Sequence, residues 1–141
     1  RKRASRETNN FSHWEEIIEK VNEKGYSVGC IGAKDTSFEL KNSVVNSWDY
    51  DDHESAAIEM LSNCKLYVGV DSGISWLPDF MSVPMVIFST ANLKVYYADY
   101  MKKITSYCLD LGKNVQDNSI IVSAIFESMN KLYGHNCGAD M

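Results

Sequence analysis

The sequence predicts an α/β domain in which a doubly wound parallel sheet carries helices on both faces. Three observations point there. Short apolar runs of strand length alternate with amphipathic stretches of helical period along most of the chain. The run Met85-Val86-Ile87-Phe88 is continuously apolar, as a strand covered on both faces requires. The strand-like Leu66-Tyr67-Val68-Gly69-Val70 breaks abruptly into Asp71-Ser72-Gly73 and then into a helical pattern.

Residues 1–10 are polar and basic and read as a loop or frayed start. A helix is predicted over residues 12–24, because Trp14, Ile17, Ile18 and Val21 recur on one face. Ser12 with Glu15 offers a capping box, and Gly25 a stop. Tyr26-Ser27-Val28-Gly29-Cys30-Ile31 reads as a strand, Gly32-Ala33-Lys34-Asp35 as a loop, and Ser43-Val44-Val45-Asn46 as a weaker strand. Asp51 or Asp52 is expected to cap a helix over 53–63 with Ala56, Ala57, Met60 and Leu61 inward. The strand at 66–70 is followed by a helix over 74–81, expected to bury Ile74, Leu77 and Met81. Pro84 opens the fourth strand, and an aromatic-rich connection over 89–103 leads to a fifth at Thr105-Ser106-Tyr107-Cys108-Leu109. Asn118 or Ser119 caps a last helix with Ile121, Ala124, Ile125 and Leu132 on one face, and residues 134–141 read as a loose tail. The first helix has no strand before it, which predicts a piece cut from a longer protein.

Composition narrows the function classes. The 141 residues carry 14 Lys and Arg against 19 Asp and Glu, a net charge of -5. Arg1, Lys2, Arg3 and Arg6 all precede the first acid, so the body beyond them is more acidic still. An acidic body lacks the basic face that general nucleic-acid binding needs. No apolar run approaches the roughly 20 residues of a membrane span, and the basic start lacks the apolar segment of a secretory signal. Cys30, Cys64, Cys108 and Cys137 form no C-x-x-C pair, which argues against a zinc site. Cys30 and Cys64 read as buried free thiols, and a reducing, cytoplasmic setting is expected.

In a doubly wound sheet the chemistry lies in the loops at the carboxyl ends of the strands. Val70-Asp71-Ser72-Gly73 is such a place. Glycine lets backbone approach a ligand closely, and the unpaired amides at a helix start, with the helix dipole, favour an anion such as a diphosphate. The Ser72 hydroxyl adds a donor. The alternative is plain capping, since Asp71 and Ser72 are both good N-caps. Serine hydrolysis is disfavoured, because no G-x-S-x-G elbow is present.

The stretch from Leu61 to Phe88 resembles the C-terminal, nucleotide-sugar-binding domain of GT-B glycosyltransferases, and in particular the ADP-heptose:lipopolysaccharide heptosyltransferase family (glycosyltransferase family 9). That family carries Asp-Ser-Gly-x-x-His-x-Ala after an apolar strand and a Pro-led apolar strand beyond. Here the matching runs are Val70-Asp71-Ser72-Gly73-Ile74-Ser75-Trp76-Leu77-Pro78 and Val83-Pro84-Met85-Val86-Ile87-Phe88-Ser89. Upstream, Trp14-Glu15-Glu16-Ile17-Ile18 and Gly25-Tyr26-Ser27-Val28 are similar to the family's first helix and following strand. Trp76 stands where the family has His, and Pro78 where it has Ala.

The resemblance implies a Rossmann-like domain over 11–133, one half of a GT-B architecture, with the N-terminal acceptor domain absent from this chain. It implies that Ser72 and Gly73 bind the donor diphosphate and that Asp71 faces sugar hydroxyls. Trp76 either packs on the sugar or fills the helix face. Arg3 and Arg6, with Arg1, are candidates for the phosphates, the alternative being a solvated basic tail. Asp35, or Glu39, is the candidate for the ribose hydroxyls. Trp48 and Tyr50 are candidates to stack on the nucleobase, or else serve as core or loop aromatics. His53 reads as a surface or cap residue. Asp49-Tyr50-Asp51-Asp52 superficially resembles a metal-binding acidic motif, but no metal and no cofactor is assigned.

The resulting expectation is the donor-binding domain of an inverting glycosyltransferase that takes a nucleoside-diphosphate sugar. The acceptor would be a glycan, lipid or protein, and the general base would come from the other domain. Alone, these residues are expected to bind donor weakly and catalyse nothing. Two alternatives stay open: a catalytically inactive binding module, and another nucleotide-sugar enzyme such as a 2-epimerase.

Overall fold

A computed structural model describes residues 13–32, 45–70, 73–89, 106–110 and 118–134. Its elements are α1 (Trp14–Glu23), β1 (Gly29–Cys30), β2 (Val45–Asn46), α2 (His53–Asn63), β3 (Tyr67–Val70), α3 (Trp76–Phe80), β4 (Met85–Ser89), β5 (Ser106–Asp110) and α4 (Ser119–Tyr133). Short 3-10 turns at Ser47–Asp49 and Gly73–Ser75 precede α2 and α3.

All the strand pairs are parallel. β1 pairs with β2, and β4 lies between β3 and β5. Val70, the last residue of β3, pairs with Phe88. Met85, Val86, Ile87 and Phe88 are wholly buried, so β4 is covered on both faces. Burying each such side chain is worth about 1.5–3 kcal/mol.

On one face, Val70 and Phe88 pack with Ile17 and Val21 of α1 and Ile121, Ile125 and Met129 of α4. Trp14 packs on Phe88 with ring centroids 5.7 Å apart, which puts the start of α1 at the carboxyl edge of β3 and β4. Asn118 Nδ2 donates to Glu16 Oε2 at 2.7 Å, which holds the start of α4 beside it. At the other end of α4, Tyr133 Oη donates to the Lys65 carbonyl at 2.6 Å, just before β3. α4 therefore runs antiparallel to β3, with its N-terminus at the strand's carboxyl end.

The helix boundaries follow local chemistry, with three corrections. α1 takes His13 as its N-cap, without a side-chain cap bond. The expected cap, Ser12, lies outside the described residues. Gly25 ends α1 at φ 90°, as a left-handed stop requires. The first strand shrinks to Gly29–Cys30, because Tyr26 and Val28 turn to the α1–α4 core and Tyr26 meets Phe126 at 6.4 Å. Cys64, expected to be buried, is exposed. It follows the last turn of α2 rather than entering β3, and its thiol donates to the Leu61 carbonyl at 3.4 Å.

α2 is capped as expected. Asp52 Oδ1 accepts from the Ser55 amide at 3.1 Å, and Oδ2 accepts from the Ser55 hydroxyl at 2.7 Å. These bonds hold the carboxyl below its ordinary value of 3.8. A pKa lower in the fold than in the unfolded chain means that the ionised group stabilises above that value, and that its contribution is lost as pH falls through the folded pKa. Asp52→Ala is expected to lower the melting temperature at pH 7. Melts repeated toward pH 3 should show the gap to wild type narrowing.

The third correction concerns α3. The expected inward residues Ile74, Leu77 and Met81 are only half-buried, whereas Ser75, Pro78 and Asp79 are buried. The element begins as a 3-10 turn of three residues per turn, so its inward face is shifted by one position. Ser75 tolerates burial because its hydroxyl donates to the Val70 carbonyl at 3.1 Å, and Pro78 has no amide proton to satisfy.

Candidate functional site

The carboxyl edge of β3 and β4 gathers several chain ends. Val70 leads out of β3, Gly73 opens the 3-10 turn, and α1 and α4 begin at the same edge. Helix N-termini carry unpaired amides and partial positive charge, so this edge suits an anion.

Beneath it lie the Tyr67 ring and the buried Ser75 hydroxyl. Tyr67 and Gly69 share a side of β3, and a Cβ on Gly69 would stand 2.7 Å from the Tyr67 ring carbons. Only glycine leaves room for that ring to lie along the strand. Ser75 is itself fully buried in the 3-10 turn that follows β3. Ser75 spends its one proton on the Val70 carbonyl, which ties the last residue of β3 to that turn. Burial pushes the Tyr67 phenol above its ordinary value near 10, with the neighbouring Ser75 side chain acting against that shift.

A second clasp joins the ends of β1 and β2. Ser47, fully buried, accepts from the Gly32 amide at 3.0 Å and donates to the Gly32 carbonyl at 3.1 Å. This holds the loop after β1 against the 3-10 turn that carries Trp48. Ser47→Ala removes the partner of both Gly32 groups, which are half-buried, so the cost is about 1 kcal/mol, the low end of the range for unpaired polar groups. A fall of several degrees in melting temperature is the expected readout.

The sequence-predicted site residues are placed unevenly. Gly73 opens the 3-10 turn, three residues beyond Val70, the end of β3. Trp76 is the first residue of α3 and 39% exposed, so it does not fill the buried face of that helix. Trp48 is half-buried two residues beyond β2, and Tyr50, two residues further on, is 55% exposed. Both stand at the carboxyl end of β2, where a ligand of a parallel sheet is expected. Asp71, Ser72, Arg1, Arg3, Arg6, Asp35 and Glu39 lie outside the described residues. Sequence reasoning missed Tyr67, Ser75 and Ser47. Isolated hydroxyls give little signal, although Gly69 two residues after a strand tyrosine hinted at the ring's path. Among the described residues, no three His, Cys, Asp or Glu side chains come together as metal ligands.

The arrangement is that of a strand, a short break and a helical turn at the carboxyl edge of a parallel sheet. Against known proteins, the chain is similar to the autotransporter heptosyltransferase Aah of Escherichia coli. The two are 30% identical over 89 residues, covering 57% of this chain and 22% of that protein. The chain thus matches about a fifth of the relative's length, and the relation is a distant one to a glycosyltransferase. No family model matches the chain. No solved structure matches it. Among the described residues, no helix is long and apolar enough to cross a membrane.

Proposed function

We propose that this chain is the donor-binding part of an inverting GT-B glycosyltransferase. It would take a nucleoside-diphosphate heptose in the cytoplasm and pass the sugar to a protein acceptor of the autotransporter kind. The observation that carries this reading is the likeness to the autotransporter heptosyltransferase. In this reading the two parallel ladders belong to one doubly wound, Rossmann-like sheet, and the donor lies along its carboxyl edge.

Ser72 and Gly73 hold the diphosphate, and Asp71 orients sugar hydroxyls. Trp76, exposed at the start of α3, packs on the sugar. Arg3 and Arg6 belong to the segment that leads into α1, whose first turn lies at this edge, and a guanidinium suits bidentate phosphate contact. Asp35 belongs to the segment between the two ends of the Gly32–Ser47 clasp and serves the ribose, while Trp48 and Tyr50 offer ring faces to the base. Rate enhancement comes from stabilising the leaving diphosphate as its charge grows, through amides and Arg side chains. The general base that deprotonates the acceptor hydroxyl is assigned to another domain of the enzyme.

A second reading, a binding module without catalysis, is favoured by one residue. Trp76 occupies the place of the family's His, a departure from the pattern that carries the resemblance. Incubating the whole protein with a nucleoside-diphosphate heptose and an autotransporter fragment separates the two. Heptose found on the acceptor by mass spectrometry, and lost with Ser72→Ala, supports the transferase. Donor bound but never transferred supports the module.

A further inference from the structure

We propose that Ser47 is a positioning residue for base recognition, because its clasp on Gly32 fixes the turn that carries Trp48 and leads to Tyr50. The inference rests on the donor-binding reading above, in which those two rings face the base. It concerns what holds them at the carboxyl ends of β1 and β2.

β1 and β2 form a short parallel ladder whose last pair is Cys30 with Asn46. One residue later, at Ser47, the chain leaves the sheet and enters the 3-10 turn Ser47–Asp49. The Tyr50 amide closes that turn by donating to the Ser47 carbonyl at 3.2 Å. A ladder that stops leaves backbone groups of the neighbouring chain in need of partners. Here a side chain supplies them. Ser47 Oγ accepts from the Gly32 amide at 3.0 Å and donates to the Gly32 carbonyl at 3.1 Å. One hydroxyl thus satisfies both groups of one residue, and its single proton is committed. Gly32 presents both groups at φ 151°, a backbone conformation that favours glycine. Ser47 is wholly buried, whereas Trp48 is half-buried and Tyr50 is 55% exposed. The anchor is hidden and the rings beyond it are accessible. Ser47 and Gly32, fifteen residues apart, form one device, and neither needs to touch the base.

Such a device predicts a selective loss. Without the hydroxyl, the β1–β2 ladder and the turn's own bond remain, but the rings are no longer tied to the end of β1. Contacts to the base should weaken, and contacts to the rest of the ligand should stay. Isothermal titration of the full chain with ADP, GDP, UDP and CDP tests this in wild type, Ser47→Ala, Ser47→Thr, Gly32→Ala and Trp48→Ala, with a melting curve for each. Wild type is expected to discriminate among the four. Ser47→Ala should lose about 3- to 10-fold in affinity for the best-bound diphosphate, the scale of one hydrogen bond, and less for the worst-bound. The ratio between them therefore falls toward one. Gly32→Ala, which breaks the clasp from its other side, should behave alike, and Ser47→Thr, which keeps the hydroxyl, should keep the ratio. Equal losses for all four would mean a purely structural role and overturn the proposal. A ratio that survives Ser47→Ala also overturns it, and one that collapses in Trp48→Ala alone leaves the role of that ring standing. Equal binding of all four by the wild type would mean that the rings do not read the base, which overturns this inference and leaves diphosphate binding intact. Absence of binding of all four would overturn the donor reading and this inference with it.

Discussion

Phe88→Ala is expected to lower stability by about 3–5 kcal/mol, the range for truncating a buried aromatic. For a chain of this size that corresponds to a fall in melting temperature of roughly 10 °C or more. Phe88 is wholly buried and sits where α1, α4 and β3 meet. Its ring meets Trp14, and its backbone pairs with Val70. Truncation opens a cavity that β4, covered on both faces, has little room to close. Thermal melting followed by circular dichroism reads the effect. Because Phe88 also fixes the start of α1 against the β3 edge, any nucleotide binding should weaken in step.

The second large effect concerns the turn itself. Ser72→Ala combined with Gly73→Val is expected to abolish binding of a nucleoside diphosphate. The first change removes a hydroxyl donor. The second places a branched side chain where, in the donor-binding reading, backbone approaches phosphate closely. Calorimetry should show at least a tenfold loss for Ser72→Ala alone, about 1.4 kcal/mol, and no measurable heat for the double variant. The melting temperature without ligand should change by much less, because the substitutions lie beyond the last residue of β3.

Some of this was legible in the sequence for clear reasons. Met85-Val86-Ile87-Phe88 after Pro84 has no polar face, so it had to be buried on both sides. Ile17, Ile18 and Val21 at helical spacing declared the inward face of α1. Asp52 announced α2 because a carboxylate three residues before Ser55 is well placed to accept its amide proton. Other features were hidden by physics that periodicity does not encode. The inward face of α3 shifted because a 3-10 start changes the turn, and the inward residue became a serine. Ser47 gives no signal of its own, since its partner Gly32 is fifteen residues away and offers only backbone. Tyr26 and Val28 read as strand by composition but were drawn to the helical core. Of the candidate site, Gly73, Trp76, Trp48 and Tyr50 could be followed into the structure, all just beyond strand ends. The bond from Ser75 to the Val70 carbonyl could not be foreseen, because only the strand-to-turn geometry brings that hydroxyl back to the end of β3.

The central claim is donor binding at the carboxyl edge of β3, and a thermal-shift panel with UDP, ADP, GDP, CMP and the matching nucleoside monophosphates tests it most directly. A ligand present at 100 times its Kd should stabilise the fold by about 2.7 kcal/mol, a shift of several degrees. The account predicts that one diphosphate raises the melting temperature, that its monophosphate does so less, and that Ser72→Ala with Gly73→Val removes the shift. No shift with any diphosphate at millimolar concentration, or a shift that survives the double substitution, would contradict it.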